Sequence, residues 1–180
     1  LRSMPGYTVI RPCDTHETAA AWYLALTRKQ PTGIVLSRQT LPLLKETGKD
    51  ALKGAYILQN CDGKPDIILM ATGSEVELIY KAYDILTEKG IKVRTVSMPS
   101  FEVFEEQSNE YKESVLPNSV RARVAGVAAS DFGWYKYVGL DGKVICMHGF
   151  GESAPAGELF KKFGFTVDNV VNTAIEVLNK

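Results

Sequence analysis

The sequence is poor in cysteine and histidine, and it has no excess of charge of either sign. Its three cysteines, Cys13, Cys61 and Cys146, stand far apart, and no Cys-x-x-Cys pair or Cys/His cluster has metal-ligand spacing. That pattern reads as reduced thiols of a cytoplasmic protein, not as a disulfide framework. Lys plus Arg and Asp plus Glu balance at 21 each. Without a net field, neither nucleic acid nor an anionic membrane surface is expected as a partner. No apolar run approaches the ~20 residues of a membrane-spanning helix. No signal-peptide pattern opens the sequence, and the opening Leu1-Arg2-Ser3 lacks a methionine, which suggests a fragment or a processed product. What remains is ordinary for a soluble globular protein: 180 residues, 45% apolar and 23% charged, ample for a buried core.

The patterning alternates between strand and helix signals. Tyr7 to Ile10 is β-branched and closed by Arg11-Pro12, which predicts a strand. Asp14 precedes Glu17 by three residues, a capping-box spacing, and Ala19 to Lys29 are good helix formers. Ala19, Trp22, Tyr23 and Leu26 share one face of that helix. Gly33 to Leu36 predicts a buried strand followed by Ser37-Arg38-Gln39. Pro42 to Lys53 has no period and is expected to run over the surface as a linker.

A second unit starts near Gly54. Ala55 to Leu58 is a strand candidate, and Ile67 to Met70 is an unbroken apolar run typical of a strand buried on both faces. Thr72-Gly73-Ser74 follows, with Glu75 and Glu77 at capping-box positions. Val76, Ile79, Tyr83 and Leu86 form a helix stripe before a strand over Ile91 to Val96. This β-α-β order predicts parallel neighbours. Acidic helices are expected within Phe101 to Leu116, strands at Val120 to Val127 and Val144 to Met147, and helices over Ala154 to Phe163 and Thr166 to Leu178. The fold class is therefore α/β: a three-layer α/β/α domain over residues 54–180, preceded over 1–53 by the end of a second α/β unit.

Among residues able to do chemistry, Arg38 stands out. It lies just past the carboxyl end of a predicted parallel strand, where open α/β sheets place ligands. Its guanidinium fork matches a phosphate bidentately; the competing reading is a structural ion pair. His148 also follows a strand, but the sequence marks no Ser, Cys or Asp partner for it. His16 falls in a first helical turn and is assigned no role. Gly149-Phe-Gly151-Glu-Ser-Ala154 imitates a dinucleotide fingerprint, yet no β-α-β unit follows and the acid expected about 20 residues on is missing. Thr72-Gly73-Ser74 is more simply a strand-to-helix turn. Trp134, Tyr135 and Tyr137 have no basic cluster beside them, which favours packing or a subunit contact over base stacking.

Several collinear segments resemble the carboxyl-terminal part of a transketolase. They include Val9-Ile-Arg-Pro-Cys-Asp14, Ile34-Val-Leu-Ser-Arg-Gln39, Ile68 to Glu77, Val96-Ser-Met-Pro99, Glu113-Ser-Val-Leu-Pro117, Trp134-Tyr-Lys-Tyr-Val-Gly139, Phe150-Gly-Glu-Ser-Ala-Pro155 and Phe163 to Val170. The resemblance implies the end of a pyrimidine-binding domain followed by a carboxyl-terminal domain with a mixed, mostly parallel sheet. It implies an enzyme of the pentose phosphate pathway that moves a two-carbon ketol unit between sugar phosphates. Thiamine diphosphate and magnesium would serve the full-length cytoplasmic homodimer. It also gives Arg38, in its Leu-Ser-Arg-Gln segment, the sugar phosphate as ligand.

The Gly-Asp-Gly…Asn segment that holds magnesium and diphosphate in this family is missing, and so are the activating glutamate and the substrate-handling histidines. No catalytic, cofactor-binding or metal residue is therefore expected here, and the chain alone is expected to be inactive with no cofactor bound. One departure is local: relatives often carry glutamate and glycine where this sequence has Val127 and Ala129. The alternative is a non-catalytic binding or dimerisation domain of another thiamine-diphosphate enzyme, such as deoxyxylulose-phosphate synthase or a 2-oxoacid dehydrogenase subunit. The Leu-Ser-Arg-Gln and Trp-Tyr-Lys-Tyr-Val-Gly segments favour transketolase.

Overall fold

β-branched and apolar runs pair into strands, and the computed structural model, which describes residues 1–179, arranges them in two sheets. The first is a parallel pair, β1 (Thr8–Ile10) and β2 (Thr32–Ile34), connected through helix α1 (Thr15–Thr27). The second has five strands: β3 (Tyr56–Gln59), β4 (Ile67–Ala71), β5 (Val93–Ser97), β6 (Arg123–Gly126) and β7 (Lys143–Ile145). Their spatial order is β3-β5-β4-β6-β7, with β3 antiparallel to β5 and all other pairs parallel. The mixed, mostly parallel sheet is thus present.

Strand β4 shows why there are three layers. Ile67, Leu69 and Ala71 point to one side of the sheet, against Val76, Ile79, Ala82 and Leu86 of α2 (Val76–Glu88) and Val170, Val171 and Ala174 of α7 (Val167–Leu178). Ile68 and Met70 point to the other, against α3 (Phe101–Glu105), α4 (Asn109–Val115) and α5 (Tyr135–Val138). The two-residue period of a strand divides one apolar run between two cores. A shorter helix, α6 (Ala156–Lys162), lies between β7 and α7 in sequence.

Four local expectations are corrected. Trp22, Tyr23 and Leu26 do not face a core: they are 55%, 59% and 79% exposed, and α1 buries Glu17, Ala20, Ala21 and Leu24 instead. Ala21 and Leu24 pack with Ile10 and Val103, Ala20 joins the core that holds Leu44 and Ala51, and the buried Glu17 fixes the rotation. The segment 42–53 is no loose linker. Asp14 Oδ2 accepts from Leu44 N at 3.2 Å and Thr47 Oγ1 at 2.5 Å, and Leu44, Thr47 and Ala51 are buried. Past β2, Val35 and Leu36 are exposed, because the two-stranded sheet lacks cover there. Finally, the Glu75 side chain caps no helix; it is fully buried and accepts from Arg11 of the first unit and from Ser74 and Ala128 of its own.

Two buried carboxylates interlock the units. Glu17 of α1 accepts from Cys13 N (2.7 Å), from Tyr56 Oη of β3 (2.8 Å) and from Ser97 Oγ of β5 (2.5 Å). Glu75, reciprocally, accepts from Arg11 Nη1 (3.0 Å), Ala128 N (2.8 Å) and Ser74 Oγ (2.5 Å). Gly73 N donates to Arg11 O at 3.1 Å, and Gly73 has φ +61°, with an added Cβ only 3.1 Å from the Arg11 guanidinium. Only glycine fits that turn.

Candidate phosphate-binding site

Open α/β sheets bind ligands beyond the carboxyl ends of their strands, where the strand order reverses. In the larger sheet that place is between β4 and β6, and the chain fills it itself with Arg11 and Glu75. Their exposures of 15% and 0% leave no room for a ligand. The Thr72-Gly73-Ser74 turn is therefore the socket for Arg11, in keeping with its plain reading as a turn.

The carboxyl end of β2 is different. Val35 N still donates to Ile10 O at 2.8 Å, continuing the pairing, and the chain then leaves the sheet toward Arg38. Seven arginines occur in the sequence, and six have engaged guanidiniums. Arg11, Arg28 and Arg121 pair with Glu75, Glu106 and Asp141. Arg94 and Arg123 donate to backbone carbonyls, and Arg2 stacks 4.0 Å above the Phe101 ring. Arg38 is exposed and, among the described residues, has no ion pair, hydrogen bond or ring contact. The competing reading of a structural ion pair thus has no partner to support it. Arg38 lines a cavity of ≈ 680 Å³ with Gln39, Ser153, Pro155 and Phe160, and no carboxylate lines it.

The other candidates do not assemble a site. His148 is exposed, with its ring nitrogens 3.9 Å from Cys146 Sγ. Burial pushes the Cys146 thiol up, away from the thiolate a nucleophile needs. Asp131 lines the same ≈ 720 Å³ cavity as His148, as does Glu152, whose two carboxylate oxygens accept from Lys162 Nζ. In the Gly149-Phe-Gly151 loop an added Cβ at either glycine meets nothing within 4 Å, so the loop forms no close cradle for a pyrophosphate. His16 Nδ1 lies 3.0 Å from Thr47 Oγ1. The aromatic stripe is split: Trp134 and Tyr137 are buried against Phe101, whereas Phe132 and Tyr135 are exposed. Sequence reasoning missed Ser153, which shares the Arg38 cavity, and the buried pair Arg11–Glu75. No spacing rule joins residues so distant in the chain.

Among the described residues, no three His, Cys, Asp or Glu side chains converge as a metal-holding group. No helix among them is long and apolar enough to cross a membrane.

A five-stranded, mostly parallel sheet covered by helices on both faces and joined to a parallel strand pair defines a protein of the α/β class. The family follows from comparison. The transketolase pyrimidine-binding domain matches residues 1–43, and the transketolase-like TK C-terminal domain matches residues 54–166. The chain belongs to the transketolase family. It is 55% identical to transketolase 1 of Vibrio parahaemolyticus over 183 residues, which is 99% of this chain and 27% of that protein. Among solved structures, transketolase from Leishmania mexicana superposes with a TM-score of 0.92 at 41% identity, covering 99% of this chain and 26% of its own. A Pichia stipitis transketolase in complex with sedoheptulose-7-phosphate does so with 0.91 at 39%, again over 99% and 26%. The chain thus spans only 27% of the length of its Vibrio relative.

Proposed function

We propose that this chain is the carboxyl-terminal part of a transketolase, with residues 1–53 ending the pyrimidine-binding domain and 54–180 forming the carboxyl-terminal domain. The complete enzyme transfers a two-carbon ketol unit from a ketose phosphate to an aldose phosphate in the pentose phosphate pathway. It is a cytoplasmic homodimer that uses thiamine diphosphate and magnesium, which supply the carbanion chemistry when bound. Within it, Arg38 binds the phosphate of the sugar. The observation that supports this reading is the unpartnered guanidinium of Arg38 in a cavity free of carboxylates. A fixed fork of donors holds a phosphate by two parallel hydrogen bonds. Binding energy gained at that remote end orients the reacting carbons. The sugar phosphate in the related Pichia structure is consistent with this assignment.

The same reading makes the isolated chain inactive, since the family's metal-and-diphosphate segment, activating glutamate and substrate-handling histidines are missing from its sequence. A coupled ketol-transfer assay tests both parts. Turnover is expected from a complete enzyme carrying this segment and none above background from the 180 residues alone. Turnover by the chain alone, or none by the complete enzyme, overturns the reading.

A further inference from the structure

One tripeptide occurs twice in this sequence. Asp-Gly-Lys stands at residues 62–64 and again at 141–143, and no other Asp-Gly and no Asn-Gly is present. An aspartate followed by glycine is prone to cyclise, because a glycine has no side chain to hinder attack by its own amide nitrogen. The local sequence is the same at both places, so only the fold distinguishes them.

The two turns differ in what holds them. Asp62, Gly63 and Lys64 are all exposed and lie in the connection between β3 and β4. The Asp62 carboxylate has no hydrogen bond or ion pair among the described residues. The Gly63 amide has no backbone partner, and an added Cβ there meets nothing within 4 Å. The flanks, in contrast, are anchored. Asn60 O accepts from Tyr83 Oη at 2.7 Å, and Asn60 Oδ1 accepts from Arg94 Nε at 2.9 Å. Asp66 Oδ2 accepts from Lys92 N at 2.9 Å, and Pro65 is buried. Only the short turn between these anchors is left to open, and exposed turns open at the lowest free energy. At the second place Asp141 Oδ2 accepts from Arg121 Nε at 2.5 Å. Gly142 is packed: an added Cβ would stand 2.6 Å from the carbonyl oxygens of Arg123 and Val138. Lys143 leads directly into β7 and pairs with Glu176. Cyclisation there has to break an ion pair and shift backbone out of close packing.

We propose that Asp62-Gly63 is a modification site of this protein, where isoaspartate forms spontaneously, and that the fold protects Asp141-Gly142 from the same reaction. The Gly63 nitrogen attacks Cγ of the Asp62 carboxyl group. The N–C bond forms and one water leaves, made of the carboxyl hydroxyl and the amide hydrogen. Water then opens the resulting succinimide. Opening at the former side-chain carbonyl restores aspartate. Opening at the main-chain carbonyl routes the backbone through Cβ and leaves a free α-carboxylate. One water lost and one gained leave mass and formal charge unchanged. The new α-carboxylate is the group that an isoaspartyl carboxyl methyltransferase esterifies from S-adenosylmethionine.

The test is ageing of the 180-residue chain at neutral pH and physiological temperature, folded in buffer and unfolded in guanidinium chloride. Isoaspartate is located by separating the isobaric peptides that carry each site, and by methyl transfer from labelled S-adenosylmethionine. In denaturant the two sites are expected to convert at the same rate. In buffer Asp62 is expected to convert and Asp141 to lag at least about fivefold behind it, the factor for one surface ion pair alone. Asp62→Glu lengthens the ring that must close and is expected to lose the signal at this site only. Because Asp62 is exposed, that variant is expected to fold, and its unfolding midpoint checks this. Equal rates at the two sites in the folded chain, or conversion of Asp62 in denaturant but not in buffer, overturns the proposal.

Discussion

Arg2 and Trp134 each hold a buried donor that nothing meets. Trp134 is fully buried, and among the described residues neither its Nε1–H nor the buried Arg2 Nη2 has an acceptor. Burial, and then the nearby Arg11 charge, hold the Arg2 guanidinium down to about 10. Val127 lies fully buried in the same cluster as Phe101 and Trp134, at the position where the family resemblance places a glutamate. An unmet buried donor costs about 1–3 kcal/mol. Val127→Glu is expected to supply the missing acceptor and raise Tm by roughly 2–4 °C, the equivalent of ~1 kcal/mol in a protein of this size. Thermal unfolding at neutral pH checks it, and a lower Tm would show that the carboxylate finds no donor there. At this scale the position of Arg38 past a parallel strand was legible in the sequence, because a strand end followed by a guanidinium is a local pattern. Its freedom from carboxylates was not, because that depends on where every other acid lies.

Helix α1 marks the limit of periodicity for whole elements. Two sets in it share the same spacing: Ala19, Trp22, Tyr23 and Leu26, and Glu17, Ala20, Ala21 and Leu24. Hydropathy selects the first set, yet the chain buries the second, because Glu17 meets hydroxyls of Tyr56 and Ser97 from the other unit. No window along the sequence contains those partners. Helix α7 was legible because its stripe and its Thr166 cap are local; Asn169 N donates to Thr166 Oγ1 at 3.1 Å. Glu17→Ala leaves three buried donors without an acceptor and is expected to cost about 3 kcal/mol or more. Glu17→Gln keeps one acceptor and can donate to the two hydroxyl oxygens, so it is expected to cost about 1 kcal/mol or less. Burial raises the Glu17 pKa above its ordinary value, so the unfolded chain ionises first as pH rises. Stability from this group is full below the unfolded carboxylate range, about 4.3, and is lost as pH rises through the folded value. Wild type is therefore expected to lose stability relative to Glu17→Gln from acid toward neutral pH. Paired urea titrations across that range check the sign; a gain with rising pH contradicts it.

In the molecule as a whole, two groups of the first unit reach into the second: Glu17 meets the hydroxyls of Tyr56 and Ser97, and Arg11 meets Glu75. Arg11→Ala strands the fully buried Glu75 charge and is expected to cost about 3–5 kcal/mol. Trp22 and Trp134 stand one in each unit, so urea unfolding followed at each, with the other replaced by Phe, reads the units separately. Coincident midpoints are expected with Arg11 present, and a lower first-unit midpoint with Arg11→Ala; separate midpoints from the outset would contradict the interlock. The α/β fold class was legible in the sequence, since Ile67 to Met70 is an apolar run typical of a strand buried on both faces and the β-α-β order predicts parallel neighbours; the mixed sheet was implied by the family resemblance. The closure of the larger sheet's ligand crevice by Arg11 was not, because it joins segments far apart in the chain. The end of β2 is the place proposed for substrate, and that proposal turns on Arg38. The most direct measurement is kcat/KM of the Arg38→Ala enzyme for a phosphorylated ketose and for its unphosphorylated counterpart. The account predicts a loss on the order of a hundredfold, confined to KM, for the phosphorylated sugar and little change for the other. Equal losses for both sugars would contradict it.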